Sequence, residues 1–366
     1  MSSKPLHPLV GHQEARQRLA RSNAAGKLPQ VILLTGAPGV GKQRLALWLA
    51  QLLLCEQAGD EPCGNCRQCR MVGALSHPDV HWFVPIARPR ASDPDKQVEE
   101  AAEALALLLE QRRAQPLYGP PDGMAIHGMA TARLLQQRAT LTSVEGGNRI
   151  FIIGEADRLV PQESSPDAAN ALLKLLEEPP PGSLFLLTTA DPRRLLPTVR
   201  SRAVPLRLGR LADADVREFL RGSLRPVPSE EELDRRVAVA EGSIGRALGS
   251  ADNAARAWQA AHQWLEAVLA GPGPALERAL RQPPWSARGD FTALLDAISE
   301  TLGEAARGAV GEKVRREIPK RLLRHRNPDP LLRAIEQVAD AREAAWGNVN
   351  PQLLLAVLGD ELAERL

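Results

Sequence analysis

Val31-Ile32-Leu33-Leu34-Thr35-Gly36-Ala37-Pro38-Gly39-Val40-Gly41-Lys42 is an unbroken apolar run that gives way to a glycine-rich turn ending in lysine. Such a run, bounded by a turn, predicts a strand buried on both faces, as in a parallel sheet. Leu45, Ala46, Leu49, Leu52 and Leu53 then recur at helical spacing and predict a helix with one apolar face. Strand, glycine loop and helix in this order make a phosphate-binding turn. Glycines let backbone N–H groups converge on phosphate oxygens, the helix N-terminus adds positive potential, and Lys42 supplies a point charge. Gly36, Gly39, Gly41 and Lys42 are the candidate phosphate-binding residues. A bare strand-to-helix turn is the competing reading, and the flanking strand and helix weigh against it.

The metal side of this motif is broken twice. A hydroxyl residue should follow the lysine to hold Mg²⁺, and Gln43 stands there. The acidic strand Ile150-Phe151-Ile152-Ile153 should end in Asp-Glu, and it runs instead into Gly154-Glu155-Ala156-Asp157. Glu155 sits where a water-polarising acid belongs, while Gly154 replaces the metal-side aspartate. Hydrolysis is expected to be absent or very slow. Whether ATP or ADP binds is a separate question that these substitutions leave open.

Outward from this loop, strands and helices alternate. A helix is expected from Pro8 to about Ala24, a second strand at Val80–Val84, and a helix at Thr131–Leu141. A strand follows at Ile150–Ile153, a helix at Asp167–Glu178 stopped by Pro179-Pro180-Pro181, and a strand at Leu184–Thr189. This alternation predicts an α/β fold, a parallel sheet covered by helices on both faces. Residues 86–128 break the pattern: Pro, Arg, Gly and Asp surround one Ala/Leu-rich helix near Val98–Arg113, as expected of a surface insertion. After about Leu211 only helical patterns continue, broken at Gly242, at Gly271-Pro272-Gly273-Pro274 and at Asn327-Pro328. The expected domains are a nucleotide-type domain over 1–210, a small helical domain over 211–254 and an all-α domain over 255–366.

Composition narrows the function classes. The 366 residues are 44% hydrophobic and 25% charged, ordinary for a globular chain, and the net charge of +2 is too balanced for gripping DNA unaided. Aromatics at 3% do not furnish a base-stacking sheet. No stretch reaches the roughly 18 apolar residues of a membrane span, and Met1–Pro5 lacks an apolar signal core, so the cytoplasm is expected. There, clustered cysteines suggest metal over disulfides. Cys55, Cys63, Cys66 and Cys69, spaced C-x7-C-x2-C-x2-C, are the candidate ligands of a closed, structural Zn²⁺ site. Surface thiols and an iron–sulfur cluster are the alternatives. His77 and His81, close by, read as ordinary loop and strand residues.

Several stretches together resemble the clamp-loader AAA+ family of bacterial DNA polymerase III. Val10-Gly11-His12-Gln13-Glu14-Ala15 looks like its opening motif, and the cysteine segment (55–69) matches its zinc module. Asn170-Ala171-Leu172-Leu173-Lys174-Leu175-Leu176-Glu177-Glu178-Pro179-Pro180 is close to its most characteristic run. Thr189 falls near the sensor position, Ser201-Arg202-Ala203 matches its Ser-Arg-Cys motif except at the third residue, and Asn348–Leu355 is similar to its collar signature. The resemblance covers nearly the whole chain apart from 86–128. It implies that the helical domains are a lid and a collar, and that Arg202 is an arginine finger acting in trans on a neighbour's ATP. A planar cation of that kind stabilises charge spread over γ-phosphoryl oxygens. A surface arginine closing a loop is the plainer reading.

Three departures, Gln43, Gly154 and Gly245 at the expected sensor arginine of the small domain, resemble the family's delta-prime branch, the ATPase-poor stator. Arg246 is one step further on, rotated by about 100° on a helix. The resemblance implies partners of gamma/tau and delta type, with sliding clamp and primer–template DNA reached through the complex. An active gamma/tau-type motor is one alternative. A stand-alone zinc-containing DNA-binding protein is another, supported by the basic stretch Lys313-Val314-Arg315-Arg316, Lys320-Arg321 and Arg324-His325-Arg326. That stretch reads more simply as the solvated face of a helix.

Overall fold

Five strands lie parallel in the order β2-β3-β4-β1-β5: β1 (Val31–Thr35), β2 (Val80–Phe83), β3 (Arg149–Ile153), β4 (Ser183–Thr189) and β5 (Val204–Arg207). The computed structural model describes residues 9–366 except 116, 118–124, 160–165, 249–250, 284–289, 313, 315–316 and 346–348. Every residue of β3 and β4 is buried, which is why both read as apolar runs with no alternation. Phe151 and Phe185 are register partners on those strands, and their rings stack with centroids 4.9 Å apart. His81 stacks on Phe151 from the next strand over, at 5.0 Å.

Helices connect the strands, as parallel pairing requires. They are α1 (Gln13–Ala24), α2 (Lys42–Leu54), α3 (Arg67–Gly73), α4 (Pro94–Ala114), α5 (Met129–Thr140), α6 (Asp167–Glu177) and the single turn α7 (Pro197–Arg200). Three differences from the sequence reading have physical causes. The first helix starts at Gln13, because Gly11 and His12 both take left-handed backbone angles and turn the chain. The edge strand β5 was not expected: Val204, Pro205 and Arg207 are exposed and only Leu206 is buried. A proline strand is tolerated at an edge, and its pattern carries almost no apolar signal.

The third difference concerns the expected surface insertion. Its helix, α4, runs from Pro94, capped by Asp93 Oδ1 accepting from the Asp95 and Lys96 N–H groups. Val98 and Leu105 join the main core rather than lying over it. Ile86 and Ile126 bridge antiparallel and close the base of this segment.

Helices α8 (Asp213–Ser223), α9 (Glu230–Ala240) and α10 (Ile244–Leu248) gather a small core of Leu211, Val216, Leu220, Leu233, Val237, Ala240 and Ala247. These belong to the unit Met1–Leu248. The second unit, Gly249–Leu366, holds α11 (Ala251–Ala270), α12 (Pro272–Leu280), α13 (Asp290–Ala309), α14 (Asp329–Ala344) and α15 (Pro351–Ala363). Trp264, Phe291, Leu295, Ile298, Val338 and Leu358 fill its core. The helix expected under the basic stretch is not formed by its described residues: Glu317–Lys320 is irregular and only Leu322–Arg324 makes a 3-10 turn. Lys313, Arg315, Arg316 and Asn348 lie outside the described residues.

Candidate functional site

The loop between β1 and α2 has the form that its glycines allow. Gly36, Gly39 and Gly41 all have positive φ, and Gly41 caps α2. Lys42 is buried, and its Nζ donates to Gly36 O at 2.8 Å and Ala37 O at 2.9 Å. Burial lowers the Lys42 amine to about 8, against the pull of Asp157 and then Glu155. His12 Nε2 meets Val40 O at 2.7 Å, so the residues before α1 brace the loop.

The helices α8–α10 close on this loop. Ser243 Oγ donates to Pro38 O at 2.8 Å, and Gly245 N donates to Gly39 O at 3.0 Å. A Cβ on Gly245 would lie 2.6 Å from Gly39 Cα, closer than real Cβ contacts, so glycine is required there. The position expected to carry a sensor arginine is therefore backbone against backbone. Arg246 turns away: its Nη1 reaches Glu241 Oε2 at 3.3 Å.

At the end of β3 the acidic side is wired to neighbours. Glu155 has φ 52, its N–H donates to Thr188 Oγ1 at 3.0 Å, and its carboxylate pairs with Arg158 at 2.9 Å. Burial raises the Glu155 carboxyl, with Asp157 adding to it, against the pull of Arg158 and, more weakly, of Arg112 and Lys42. Asp157 accepts from Thr189 Oγ1 at 2.8 Å and lies 3.8 Å from Arg194. The structure thus brings Gly36, Gly39, Gly41, Lys42, Glu155 and Thr189 to one end of the sheet.

Two contributors, His127 and Arg112, and one contact, that of Gln43 with Gly154, were missed by the sequence reading. His127, fully buried, meets Gly154 O through Nε2 at 2.7 Å. Gln43 folds its amide against Gly154, where a Cβ would stand 2.9 Å from its carbonyl carbon and oxygen. Arg112, 6% exposed, donates from Nη1 to Gln43 Oε1 at 3.4 Å, and its guanidinium covers the Trp82 ring at 4.4 Å. A signal for Arg112 existed. Val98, Ala101 and Leu105 are buried at helical spacing, and Arg112 is the next buried position on that face, a charge where the stripe expects an apolar residue.

Arg202 stands apart from these groups. Its Nη2 is 3.0 Å from Glu177 Oε2, and its Nη1 donates to Thr198 O at 2.9 Å. The side chain is partly exposed, held against the end of α6.

The four cysteine sulfurs lie within 4.8 Å of one another. A tetrahedron with zinc–sulfur bonds of about 2.3 Å has edges of about 3.8 Å, so the donor set fits a four-thiolate ion. N–H groups of Gln57 and Cys63 point at Cys55 Sγ, that of Cys66 at Cys63 Sγ, and that of Cys69 at Cys66 Sγ, all at 3.3–3.4 Å. Backbone N–H groups of Asn65 and Cys66 lower the Cys63 thiol to about 7, while burial pushes that of Cys69 up. The knuckle docks by Gln51 Nε2 donating to Cys69 O at 3.0 Å and by paired bonds from Arg67 to Glu145 at 2.8 and 2.9 Å. His77 binds Gln68 Oε1 and the Asp79 N–H, and takes no place in the sulfur cluster.

A family model described as DNA polymerase III, delta subunit, matches residues 11–212. The chain belongs to this family. Within the family, the DNA polymerase III subunit delta' of Escherichia coli K12 is 28% identical over 360 residues, covering 93% of this chain and 91% of that protein. Subunit delta' of Bacillus subtilis 168 is 32% identical over 180 residues, 49% of this chain and 42% of that protein. DNA polymerase III subunit tau of E. coli is 27% identical over 319 residues, covering 85% of this chain and 40% of that one. Among the described residues no helix is long and apolar enough to cross a membrane.

Proposed function

We propose that this chain is the delta-prime-type subunit of a sliding-clamp loader, working without hydrolysing ATP itself. The observation that carries this reading is the pairing of Gln43 with Gly154: the hydroxyl and the carboxylate that should hold Mg²⁺ are both replaced, and the two residues pack against each other. Gly245 supports it further, since a sensor arginine has no room beside Gly39. A hydrolysing motor of gamma/tau type would need a hydroxyl, an aspartate and an arginine at these three positions.

In this reading the units act as an AAA+ domain with its lid and a collar, and the collar holds the chain among gamma/tau- and delta-type subunits. Sliding clamp and primer–template DNA are met through that assembly. Arg202 leaves Glu177 and extends to the ATP of an adjacent motor subunit, where its fixed charge stabilises the transferring phosphoryl group. A Zn²⁺ held by Cys55, Cys63, Cys66 and Cys69 stabilises the segment after α2 and takes no part in chemistry.

The test is ATP turnover by the purified chain, alone and assembled with motor subunits. The expected result is no turnover alone and stimulated turnover in the complex, with Arg202→Ala lowering it by about 10³-fold or more at that one interface and leaving assembly intact. Magnesium-dependent hydrolysis by the chain alone, abolished by Lys42→Ala, would make it a motor.

A further inference from the structure

Two acids close α6. Glu177 is its last residue and Glu178 its C-cap, and both are exposed. A carboxylate at that end opposes the helix dipole, so neither is there for the helix. Glu177 instead faces Arg202: its Oε2 lies 3.0 Å from Nη2, while Nη1 donates to Thr198 O at 2.9 Å. The guanidinium is thus held between the end of α6 and the turn α7.

The backbone on both sides is fixed. Leu176, next to Glu177, is buried in the main core, and so are Val199 and Ala203 near Arg202. Gln136 Nε2 also donates to Ala171 O of α6 at 2.7 Å. The two side chains are what is left to move. The posture of Arg202 is also incomplete, because its Nε is buried without a hydrogen-bond partner among the described residues. A guanidinium has five N–H donors and gains most from an acceptor that takes them in pairs. A terminal phosphate offers three oxygens and more negative charge than one carboxylate. The Glu177 side chain is 58% exposed, so water screens the pair and a stronger acceptor can displace it.

We propose that Glu177 is a positioning residue for Arg202, withholding its guanidinium from the neighbouring site until a terminal phosphate competes for it. A nucleoside triphosphate across the interface draws Arg202 off the carboxylate. A diphosphate, one phosphoryl group shorter, leaves it on Glu177. The inference rests on reading Arg202 as an arginine finger, and its failure can be told from failure of that reading.

The experiment is ATP turnover at subsaturating ATP by the assembled loader, without clamp or DNA, carrying the full chain or its variants. Glu177→Gln keeps the shape of the side chain and removes its charge. It should raise the part of the turnover that Arg202→Ala abolishes by about threefold. Glu178→Gln removes the same charge one residue on and should leave turnover unchanged. Combining Glu177→Gln with Arg202→Ala should erase the gain. In the free chain, modification of Arg202 by a dicarbonyl reagent, read by mass spectrometry, should be about threefold faster in Glu177→Gln. Unaltered or lower turnover in Glu177→Gln, where Arg202→Ala is impaired, would overturn the restraint and keep the finger. A gain that persists beside Arg202→Ala, or equal rates of modification, would also overturn the restraint. Full turnover in Arg202→Ala would overturn both.

Discussion

The carboxamide of Gln43 occupies the space that a side chain on Gly154 would need: a Cβ there would stand 2.9 Å from its Cδ and 3.0 Å from its Nε2. Two departures from a magnesium-binding motif, 111 residues apart in the chain, are therefore one packing solution. Gly154→Asp alone should be destabilising by about 1–3 kcal/mol, from overpacking and a displaced amide. Gln43→Thr opens the space, so the double variant should recover part of that loss, with a coupling of about 1 kcal/mol. Urea unfolding of the four chains in the cycle measures it. Additive effects would separate the two residues.

Much of this site was legible before any coordinates. A phosphate loop announces itself because glycine, lysine and a flanking buried strand are local signals, and each lies within a dozen residues of the next. The four cysteines are legible for the same reason. What was hidden depends on distance along the chain. Gln43 reads as the loss of a hydroxyl, and its reach to Gly154 appears only when β3 is set beside α2. Arg112 lies in a segment whose prolines and glycines suggested a surface excursion, whereas Val98 and Leu105 draw its helix into the main core. β5 escaped because an edge strand with one buried residue carries no periodicity.

The contact of Gly39 with Gly245 leads to a second expectation. Both approach through backbone atoms, so neither can give way as a flexible side chain would. Gly245→Ala should separate the Ser243–Gly245 turn from the loop, removing the Ser243 Oγ–Pro38 O and Gly245 N–Gly39 O bonds. A loss of about 2 kcal/mol or more is expected, since two hydrogen bonds and a tight contact go together. Hydrogen exchange should show faster exchange at Gly245 and through α10, with β3 and β4 unaffected. Unchanged exchange there would mean the contact contributes little.

Acid should weaken the first unit through His127. Burial holds its imidazole at about 4, against an ordinary 6.5, while its bond to Gly154 O, the charge of Asp157 and that of Arg158 act as smaller influences. The neutral ring donates from Nε2, and the unfolded chain binds the proton more readily. Stability from this group is therefore complete above about pH 6.5 and is lost as the pH falls toward 4, up to about 3 kcal/mol. His81, also lowered to about 4 by burial, acts in the same direction. Carboxylates change stability over the same range, so the informative quantity is the difference between wild type and His127→Gln. That difference should shrink the slope between pH 6.5 and 4; an identical slope would place the titration elsewhere.

Metal removal gives the last expectation. The sulfur cluster sits on α2 and α3 and is tied to the core by Gln51 and by the Arg67–Glu145 pair, so its loss should loosen a defined region rather than the whole chain. Elemental analysis of the purified protein should return one zinc per chain, released by a strong chelator. The released form should lose protection over residues 55–75 and fall in stability by several kcal/mol, because thiolate coordination energy enters folding directly. Cys63→Ser should reproduce most of this, since neighbouring N–H groups favour its thiolate. Iron with a visible charge-transfer band would instead mark a cluster of iron and sulfide. Four titratable thiols with no metal and unchanged stability would return these cysteines to ordinary loop residues.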